Sequence, residues 1–555
     1  MKRFPIVLVA LVMSIAGLAG AGCSLLLDFE ECAADGDCAT RAPGLVCSQE
    51  GYCVAGAPEC SVDDDCAGKG ARTSCVAGTC TAAANNGGDA GDTGDTTDVP
   101  LTCTVADCIE NNGDNYVCGV GGRCVNLLTP QCTRIAGPVN RGNTVIIGSI
   151  LPTVEFGDLG IPIENAVVLA VEEINDRGGL PGGRNLALIG CDSSGDADLG
   201  EAAAKHLVEE VGVPAIVGPA FSGVFIGNIN LITGAGTLMI SPSATSPDIT
   251  DQQDNGLAWR TVASDVFQGV ASSDLIRDRG YSSVAAIGKG DAYGEGLLNK
   301  LSEEVGTELG IDNYVPRTYD EGAPDFGAIV TQVLDELPDV EVIVLFGTSE
   351  VVDLLGLFET EINNRGLLIT PDYLLADGGK SELIFATIQN AAPLDDELRA
   401  RISGTEPDHQ NGAVFQAYQL RYQGAFPRSN AGIFTPNSYD ATYLLAYAMM
   451  TIDPNVEITG AGIAAGMSRL VSGPMTAVGP SDINQARNAL TVGNSIDFVG
   501  ASGPLDFNLE TGEAPANVAL WAVEERENGD LRFTTAMCYL IGEDGTGDWA
   551  ACPQQ

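Results

Sequence analysis

From about residue 144 onward, short apolar runs alternate with longer amphipathic segments. Segments such as ENAVVLAVEEIND and GEGLLNKLSEEVGTELG place apolar residues three and four positions apart, which predicts helices with one buried face. Apolar runs of about four to eight residues are typical of strands buried on both faces. The runs are VIIGSIL, LALIGCD, PAIVGP, TLMISP, SVAAIGK, VEVIVLFG, DYLLAD and GAVFQA. The alternation predicts an α/β fold with doubly wound parallel sheets, and the region is too long for one sheet, so two lobes are expected.

The first part of the chain follows a different pattern, which is set by cysteine. Of the 17 cysteines, three sets of four repeat a similar spacing. The sets predict small units stapled by two disulfides each, because such short segments cannot bury enough apolar surface unaided. Four cysteines allow three pairings, so the connectivity stays open. The sets are Cys32, Cys38, Cys47 and Cys53; Cys60, Cys66, Cys75 and Cys80; and Cys103, Cys108, Cys118 and Cys124.

These repeats define a Cys-rich region over residues 23–135, interrupted by a Gly-, Asp- and Thr-rich segment at about 81–101 that predicts a flexible acidic linker. Zinc is disfavoured because ligand pairs of the CxxC type are missing. Acidic residues before the second cysteine of each set leave calcium binding open, although solvated turn positions explain them as well. A role of the repeats in binding another protein also stays open.

The N-terminal residues predict export. Lys2 and Arg3 precede an apolar run from Ile6 to about Ala19, which is too short to span a bilayer but suits a signal peptide over residues 1–22. The following LAGAGC resembles the lipobox of bacterial lipoproteins, which implies lipidation of Cys23; an ordinary cleavable signal is the alternative. Ser24 is not the aspartate that usually retains lipoproteins in the inner membrane. The prediction is therefore a cell-envelope protein, lipid-anchored at the outer membrane.

Charge and motif content narrow the function. The net charge of −48 disfavours binding to nucleic acids, and 45% hydrophobic residues argue against wholesale disorder. The two histidines, His206 and His409, have no nearby partner histidine, and no nucleophile elbow, phosphate loop or dinucleotide fingerprint is present. We therefore predict no enzymatic activity, no cofactor and no metal.

Several segments together resemble type 1 periplasmic binding proteins of the branched-chain amino-acid (Leu/Ile/Val) class. They occur in the family's order and approximate spacing: AVVLAVEEINDRGGLPGGRNLALIGCDSSGD, VPAIVGPAFSG, MISPSATSPDIT, WRTVASDVFQG, DAYGEGLLNKL, NSYDATYLLAYAM and VGASGPLDFNLETGE. The resemblance implies two α/β lobes that close on a ligand like a hinge. It places the binding-protein domain at 144–535, with lobe one at about 144–263 and 418–514, lobe two at about 264–417 and 515–535, and crossovers near 264, 418 and 515.

The resemblance also assigns ligand contacts on lobe one. Ser222 matches the serine that holds a ligand carboxylate, at the positive end of the helix expected after it. The segment Ser243, Ala244 and Thr245 matches the strand-end position that supplies a backbone carbonyl to the ligand ammonium and a threonine to both ligand groups. Phe156, with Gly157, resembles the usual aromatic-Gly pair, although the rest of that loop departs from the family pattern. A strand-to-helix cap is the alternative reading of SPSAT.

On lobe two, Tyr293 matches the aromatic residue that closes over the ligand, and Asp377 matches an acid that pairs with its ammonium. A core aromatic and a turn or N-cap residue are the alternatives. The family's cysteine pair near the site is missing here, which leaves Cys191 as one candidate partner for Cys132. Cys538 and Cys552 are close in sequence and would close a loop in a C-terminal tail over 536–555.

The implied function is capture of an amino acid or related small ligand for uptake by an ABC transporter, with the transporter permease as partner. An outer-membrane receptor or sensor that uses the same domain and a signalling partner is the alternative.

Overall fold

The computed structural model describes residues 103–553, apart from 311–312, 321–324, 392, 409–411 and 543–545, and four strands nearer the N-terminus. The predicted signal, Cys23, most of the linker and His409 lie outside the described residues. The chain divides into a unit over residues 1–98 and a unit over residues 99–555.

The first unit contains two antiparallel hairpins. Strands β1 and β2 place Cys47 opposite Cys53, and strands β3 and β4 place Cys75 opposite Cys80. The third and fourth cysteines of the first two sets therefore face each other across a hairpin. The strand bounds are β1 Leu45–Cys47, β2 Cys53–Ala55, β3 Thr73–Val76 and β4 Thr79–Ala82.

The third cysteine set forms the same hairpin at the start of the second unit. Helix α1 (Val105–Asn112) begins with a capping box between Thr104 and Asp107, and strands β5 (Tyr116–Cys118) and β6 (Cys124–Asn126) follow. Disulfides join Cys103 to Cys118 and Cys108 to Cys124. The first cysteine thus pairs with the third and the second with the fourth, which selects one of the three pairings.

This third repeat is part of lobe one and not of a separate N-terminal module, contrary to the domain division expected from the sequence. Val117 and Leu127 lie in one apolar cluster with Ile189 and Leu207 of the lobe. The disulfide between Cys132 and Cys191 then fixes the connecting strand to the first sheet, and it confirms the predicted pair. Burial of apolar surface on both sides explains why the repeat docks.

Lobe one is built on a six-stranded sheet in the order β12-β11-β10-β8-β9-β7. All strands are parallel except β7, which pairs antiparallel with β9 at the edge. The strands are β7 Cys132–Ala136, β8 Thr144–Leu151, β9 Asn185–Asp192, β10 Ala215–Val217, β11 Leu238–Ser241 and β12 Ala258–Arg260. The helices between them are α2 Gly157–Asp176, α3 Ala197–Lys205, which continues as a π turn at His206–Val211, and α4 Ser222–Gly234.

After β12 the chain enters the second sheet. The strands of this pass are β13 Val284–Lys289, β14 Tyr314–Tyr319, β15 Val342–Phe346, β16 Asp372–Leu375 and β17 Ile402–Pro407. Its helices are α5 Asp265–Asp278, α6 Ala292–Leu301, which continues to Leu309, α7 Phe326–Glu336, α8 Val351–Arg365, α9 Leu383–Asn390 and α10 Asp395–Arg401.

The chain then returns to lobe one through helices α11 Ala413–Ala425, α12 Thr435–Met449, α13 Gly460–Met467 and α14 Ile483–Thr491, with a small parallel pair of strands, β18 Met475–Ala477 and β19 Asp497–Val499. Helix α12 is buried along its whole length and packs against α2. It therefore forms the centre of the lobe-one core.

A last crossing completes the second sheet, whose order is β14-β13-β15-β16-β17-β20-β21-β22. Strands β20 Val518–Glu525, β21 Leu531–Ile541 and β22 Gly547–Ala550 pair antiparallel. The predicted disulfide between Cys538 and Cys552 is present. The segment 536–555 is thus not a separate tail, since β21 and β22 extend the lobe-two sheet.

One predicted strand is wrong. GAVFQA belongs to helix α11, because Phe415, Tyr418 and Tyr422 continue the spacing by three and then four residues and place the two tyrosines in the core. The strand Ile402–Pro407 was missed, since its buried residues include Ser403, Thr405 and Glu406 and form no apolar run. None of the helices described here is long and apolar enough to cross a membrane.

We expect the Cys132–Cys191 disulfide to stabilise the fold more than the Cys538–Cys552 disulfide. The cysteines are 59 and 14 residues apart, and the longer loop loses more entropy in the unfolded chain, which corresponds to about 4 and about 3 kcal/mol. The double variants Cys132→Ser/Cys191→Ser and Cys538→Ser/Cys552→Ser can be compared by urea unfolding without reductant. A larger loss from the terminal pair would contradict the expectation.

Candidate ligand-binding site

The carboxyl ends of parallel strands from both sheets face a cleft of about 2520 Å³. Five of the predicted ligand residues line it: Phe156, Ser222 and Ser243 from lobe one, and Tyr293 and Asp377 from lobe two. The other two, Ala244 and Thr245, are not among the lining residues and are 0% and 1% exposed. In this open cleft the strand-end segment therefore presents only its first residue.

Ser222 is placed by helix α4, of which it is the first residue. Its Oγ accepts a hydrogen bond from the Ser246 N–H at 3.2 Å, which ties the helix start to the loop after β11. The first N–H groups of a helix have no partner within the helix, and the helix dipole makes this end positive. Ser222 and the start of α4 thus form a position suited to a carboxylate.

The Ser243–Thr245 segment is held by its neighbours. Ser243 Oγ donates to the Ala220 carbonyl at 2.8 Å, and Ser241 Oγ accepts from the Ala244 N–H at 2.9 Å. The Ala244 carbonyl accepts from Nη1 of Arg260 at 3.3 Å, so a group other than a ligand already binds it. The Thr245 side chain hydrogen-bonds the buried carboxyl of Asp265 behind the cleft wall.

Two buried carboxylates meet at the back of the cleft. Nε2 of Gln268 donates to Oδ1 of Asp265 at 2.9 Å and to Oδ1 of Asp377 at 2.7 Å. The Tyr293 hydroxyl also donates to Oδ1 of Asp377, at 2.9 Å, and accepts from the Gly378 N–H at 3.0 Å. Tyr293 and Asp377, predicted separately, therefore form one hydrogen-bonded unit with Asp265 and Gln268.

Burial is the largest influence on the pKa values of this acid pair. Burial raises the pKa of Asp265 well above its usual value, and the negative charge of Asp377 raises it further. Burial also raises the pKa of Asp377, although hydrogen bonds from Gln268 and Tyr293 oppose the shift. A hydrogen bond from the Thr245 side chain lowers the pKa of Asp265 in part, and within the described part of the chain Oε1 of Gln268 has no hydrogen-bond partner. The pair is an acceptor-rich position that would favour a cation.

Sequence reasoning missed Asp265 and Gln268. Asp265 follows the N-cap Ser264 of helix α5, where an acid in the first turn has an ordinary structural explanation. Two features distinguish Asp265: it is 0% exposed, and it is linked through Gln268 to Asp377, which lies 112 positions away in the sequence. Neither feature can be recognised in the sequence.

Two further acids lie beside this pair. Lys380 Nζ contacts both carboxylate oxygens of Glu406, at 2.6 and 2.7 Å. Asp408, directly after β17, lines the cleft and is 7% exposed. Burial and the nearby Glu406 charge raise the pKa of Asp408 to about 6. The back wall of the cleft therefore holds more carboxyl groups than the single positive charge of Lys380 can neutralise.

Metal binding has no support from the geometry of the described residues. The one compact group of potential ligands found among them is Cys103, Cys108 and Cys124, and all three cysteines are in disulfides. His206, one of the two histidines, lies outside the cleft and contacts Glu210 and the Leu127 carbonyl.

Comparison with known proteins agrees with this arrangement of two lobes around a cleft. Residues 144–524, more than half of the chain, match the family described as periplasmic binding protein. The chain belongs to this family. Its members are extracytoplasmic solute-binding proteins, so the predicted fold class and the predicted absence of enzymatic activity are confirmed.

Two curated relatives and one solved structure illustrate the similarity of this periplasmic binding protein to others. A Leu/Ile/Val-binding protein of Rhizobium johnstonii is 32% identical over 200 residues, which cover 35% of this chain and 53% of the relative. The chain thus spans about half the length of that protein. A chemotactic signal transduction substrate-binding protein of Halobacterium salinarum is 25% identical over 382 residues, covering 66% of this chain and 84% of the relative.

The solved structure is the branched-chain amino acid transporter substrate-binding protein LivJ from Streptococcus pneumoniae, in complex with isoleucine. It is 20% identical to this periplasmic binding protein, with a TM-score of 0.54, and the match covers 71% of this chain and 99% of that one. At this identity the likeness supports the shared fold.

The buried Asp408 is expected to destabilise the protein at neutral pH. Its folded-state pKa of about 6 exceeds the ordinary 3.8, so the folded state binds the proton more tightly and stability falls as pH rises from about 4 to about 6. At about 1.4 kcal/mol per pKa unit, the ionisation costs on the order of 3 kcal/mol at pH 7. We expect Asp408→Asn to raise the melting temperature at pH 7 and to lose that advantage at pH 4.

The exposed cleft residue Glu382 provides the control. Glu382→Gln removes the same charge from the cleft but should change the melting temperature little at either pH. An equal effect of both variants would show that general charge reduction, and not the burial of Asp408, causes the change.

Proposed function

We propose that the protein captures an α-amino acid or a closely related small ligand between its two lobes and delivers it to an ABC-type uptake system. The observation that carries this proposal is that one side of the cleft favours a negative ligand group and the other side favours a positive one. A positive helix end with Ser222 lies on lobe one, and the buried acid pair with Tyr293 lies on lobe two.

This arrangement suits a zwitterion. A carboxylate at the start of α4 would accept from the Ser222 hydroxyl and from free helix N–H groups, and an ammonium would donate to Asp377 and reduce the repulsion between Asp377 and Asp265. Charge-assisted hydrogen bonds of this kind are strong where water is excluded. Since the two halves of the site lie on different lobes, a ligand that joins them would favour closure.

The cell location is a further part of the proposal. The signal peptide over residues 1–22, lipidation at Cys23 and sorting to the outer membrane would hold the domain on a Cys-rich stalk. Support comes from the sequence features at the N-terminus and from the extracytoplasmic family.

A sensor is the second candidate function. The Halobacterium relative, named as part of a chemotactic signal transduction system, aligns over more of this chain than the Rhizobium protein does. In that case a signalling partner, and not a permease, would bind the closed form of the protein. Ligand uptake by cells with and without the gene separates the two candidates, because a sensor would leave uptake unchanged.

The ligand proposal predicts that at least one α-amino acid raises the melting temperature of the protein, in proportion to the free energy of binding. Asp377→Asn and Ser222→Ala should each weaken binding by about 10-fold or more, since each removes a charge-assisted hydrogen bond worth about 1.5–3 kcal/mol. Titration calorimetry with the twenty amino acids measures this. Glu382→Gln, which removes an exposed cleft charge, is the matched control and should bind as the wild type does. If no α-amino acid binds, the proposal fails.

Binding should also release protons. In the free protein the pKa values of Asp265 and Asp377 are raised, so protons stay bound to higher pH; a ligand ammonium favours the ionised carboxylates and lowers both values. Affinity for the amino acid should therefore rise with pH until the carboxylates are ionised. Calorimetry at one pH in two buffers with different ionisation enthalpies counts the released protons. Buffer-independent heats would count against an ammonium at the acid pair.

A further inference from the structure

Asp408 presents a buried carboxyl group to the cleft without a positive partner. It lines the cleft directly after β17 and is 7% exposed. Burial and the Glu406 charge raise its pKa, and only a hydrogen bond with the Asn517 side chain opposes them. No lysine, arginine or histidine of the described residues therefore balances this carboxylate. Buried carboxylates in folded proteins are usually paired with a cation, so Asp408 lacks the partner that such a group normally has.

The Lys380 ammonium, which also lies on the back wall of the cleft, is already committed to another acid. Its Nζ contacts both carboxylate oxygens of Glu406, at 2.6 and 2.7 Å, and lies 5.5 Å from the centroid of the Phe533 ring. Glu406 is only 5% exposed, and opposite charges attract more strongly where water is excluded. Lys380 and Glu406 therefore neutralise each other, and Asp408 keeps an unbalanced negative charge at neutral pH.

The charges of the back wall leave room for two positive ligand groups. Among the described residues, four carboxyl groups lie there, those of Asp265, Asp377, Glu406 and Asp408, against the one ammonium of Lys380. The α-ammonium of an amino acid at Asp377 would supply one further positive charge. Asp408 would still have none, so a ligand with a single positive group leaves part of the wall unsatisfied.

The sheet sets the spacing of the two positions. Strands β16 and β17 are parallel neighbours with Leu375 opposite Gly404, and Asp377 and Glu406 each lie two residues beyond that pair. Asp408 lies two residues further along. Neighbouring strands are about 4.8 Å apart and rise about 3.3 Å per residue, so the backbone positions of Asp377 and Asp408 are roughly 8 Å apart. A lysine-type side chain, with its ammonium on a flexible four-carbon stem, can span such a distance.

We propose that the ligand carries a second positive group that binds at Asp408, which makes it a basic α-amino acid of the lysine or arginine type. The inference rests on the proposed function, because the α-ammonium at Asp377 is the point from which the side chain extends. It also explains why the fold keeps a buried carboxylate that reduces its stability, since local rules are commonly broken at functional sites. The net charge of −48 would attract such a ligand to the protein.

Arg428 provides the opposite expectation, a ligand with an acidic side chain. It is the third cationic side chain found along the cleft among the described residues, and it lies on lobe one. However, Arg428 is exposed, and an ion pair formed in water contributes little. The buried Asp408 is therefore the stronger determinant of ligand charge.

Titration calorimetry at pH 7.5 with L-lysine, L-norleucine and L-glutamate tests the proposal. L-Norleucine has the carbon chain of lysine without its side-chain ammonium, so L-lysine should bind about 10-fold or more tightly than L-norleucine. A smaller preference, or tighter binding of L-glutamate, would overturn the second cation position and leave the amino-acid function intact. If no α-amino acid binds, the proposed function fails and this inference fails with it.

The variant Asp408→Asn gives the second test. It should weaken L-lysine binding by about 10-fold or more and change L-norleucine binding by less than 2-fold, because only lysine loses a charge-assisted hydrogen bond. Glu382→Gln, which removes a charge from the exposed part of the cleft, is the matched control and should keep the preference for lysine. An unchanged preference in Asp408→Asn, or equal losses for both amino acids, would overturn the role of Asp408. Melting temperatures verify that both variants are folded.

Discussion

One buried guanidinium holds together the parts of the molecule that shape the cleft. Arg260, at the end of β12, is 1% exposed and pairs with Glu513 at 2.5 Å, so it joins the first crossing between the lobes to the segment before the third. Its Nη1 also donates to the Ala244 and Ser246 carbonyls, and Thr250 donates to the same Glu513 oxygen. Burial lowers the pKa of Arg260, and Glu513 opposes that shift.

The net stability that a buried ion pair adds differs greatly from the cost of removing one of its partners. A buried ion pair adds little net stability over apolar residues of the same size, but removing one partner costs about 3–5 kcal/mol because the other charge is left buried. Arg260 therefore specifies geometry more than it stabilises. It fixes the loop that carries Ser243 and, through the Ser246 N–H bond to Ser222, the start of α4. Arg260 does not line up with the ligand itself but holds, through Ser246, the helix start that we propose for the ligand carboxylate.

The parts of the fold that depend on local sequence patterns could be predicted from the sequence. Apolar runs and spacings of three and four located the strands and helices of both lobes, and family motifs located five residues that line the cleft. It could not predict that Ala244 and Thr245 lie behind the cleft wall, that Asp265 meets Asp377, or that the third Cys-rich repeat docks on lobe one. These features depend on contacts between distant segments, for which one sequence carries no local signal. GAVFQA failed for the opposite reason, because a short apolar run is ambiguous between strand and helix.

In the absence of a ligand, closure of the two lobes is opposed by the negative charge of the cleft. Among the described residues, ten carboxylates and three cationic side chains line it, and two of those cations, Lys289 and Lys380, already pair with acids. Bringing the lobes together concentrates this negative charge, so closure of the empty cleft is opposed by repulsion. In the proposed complex, a ligand ammonium at Asp377 would supply the missing positive charge, and a ligand carboxylate at α4 would stay away from the acids. Closure would then depend on the ligand and not on the protein alone, so the same buried acids that reduce stability would make the closed state form mainly when the ligand is bound.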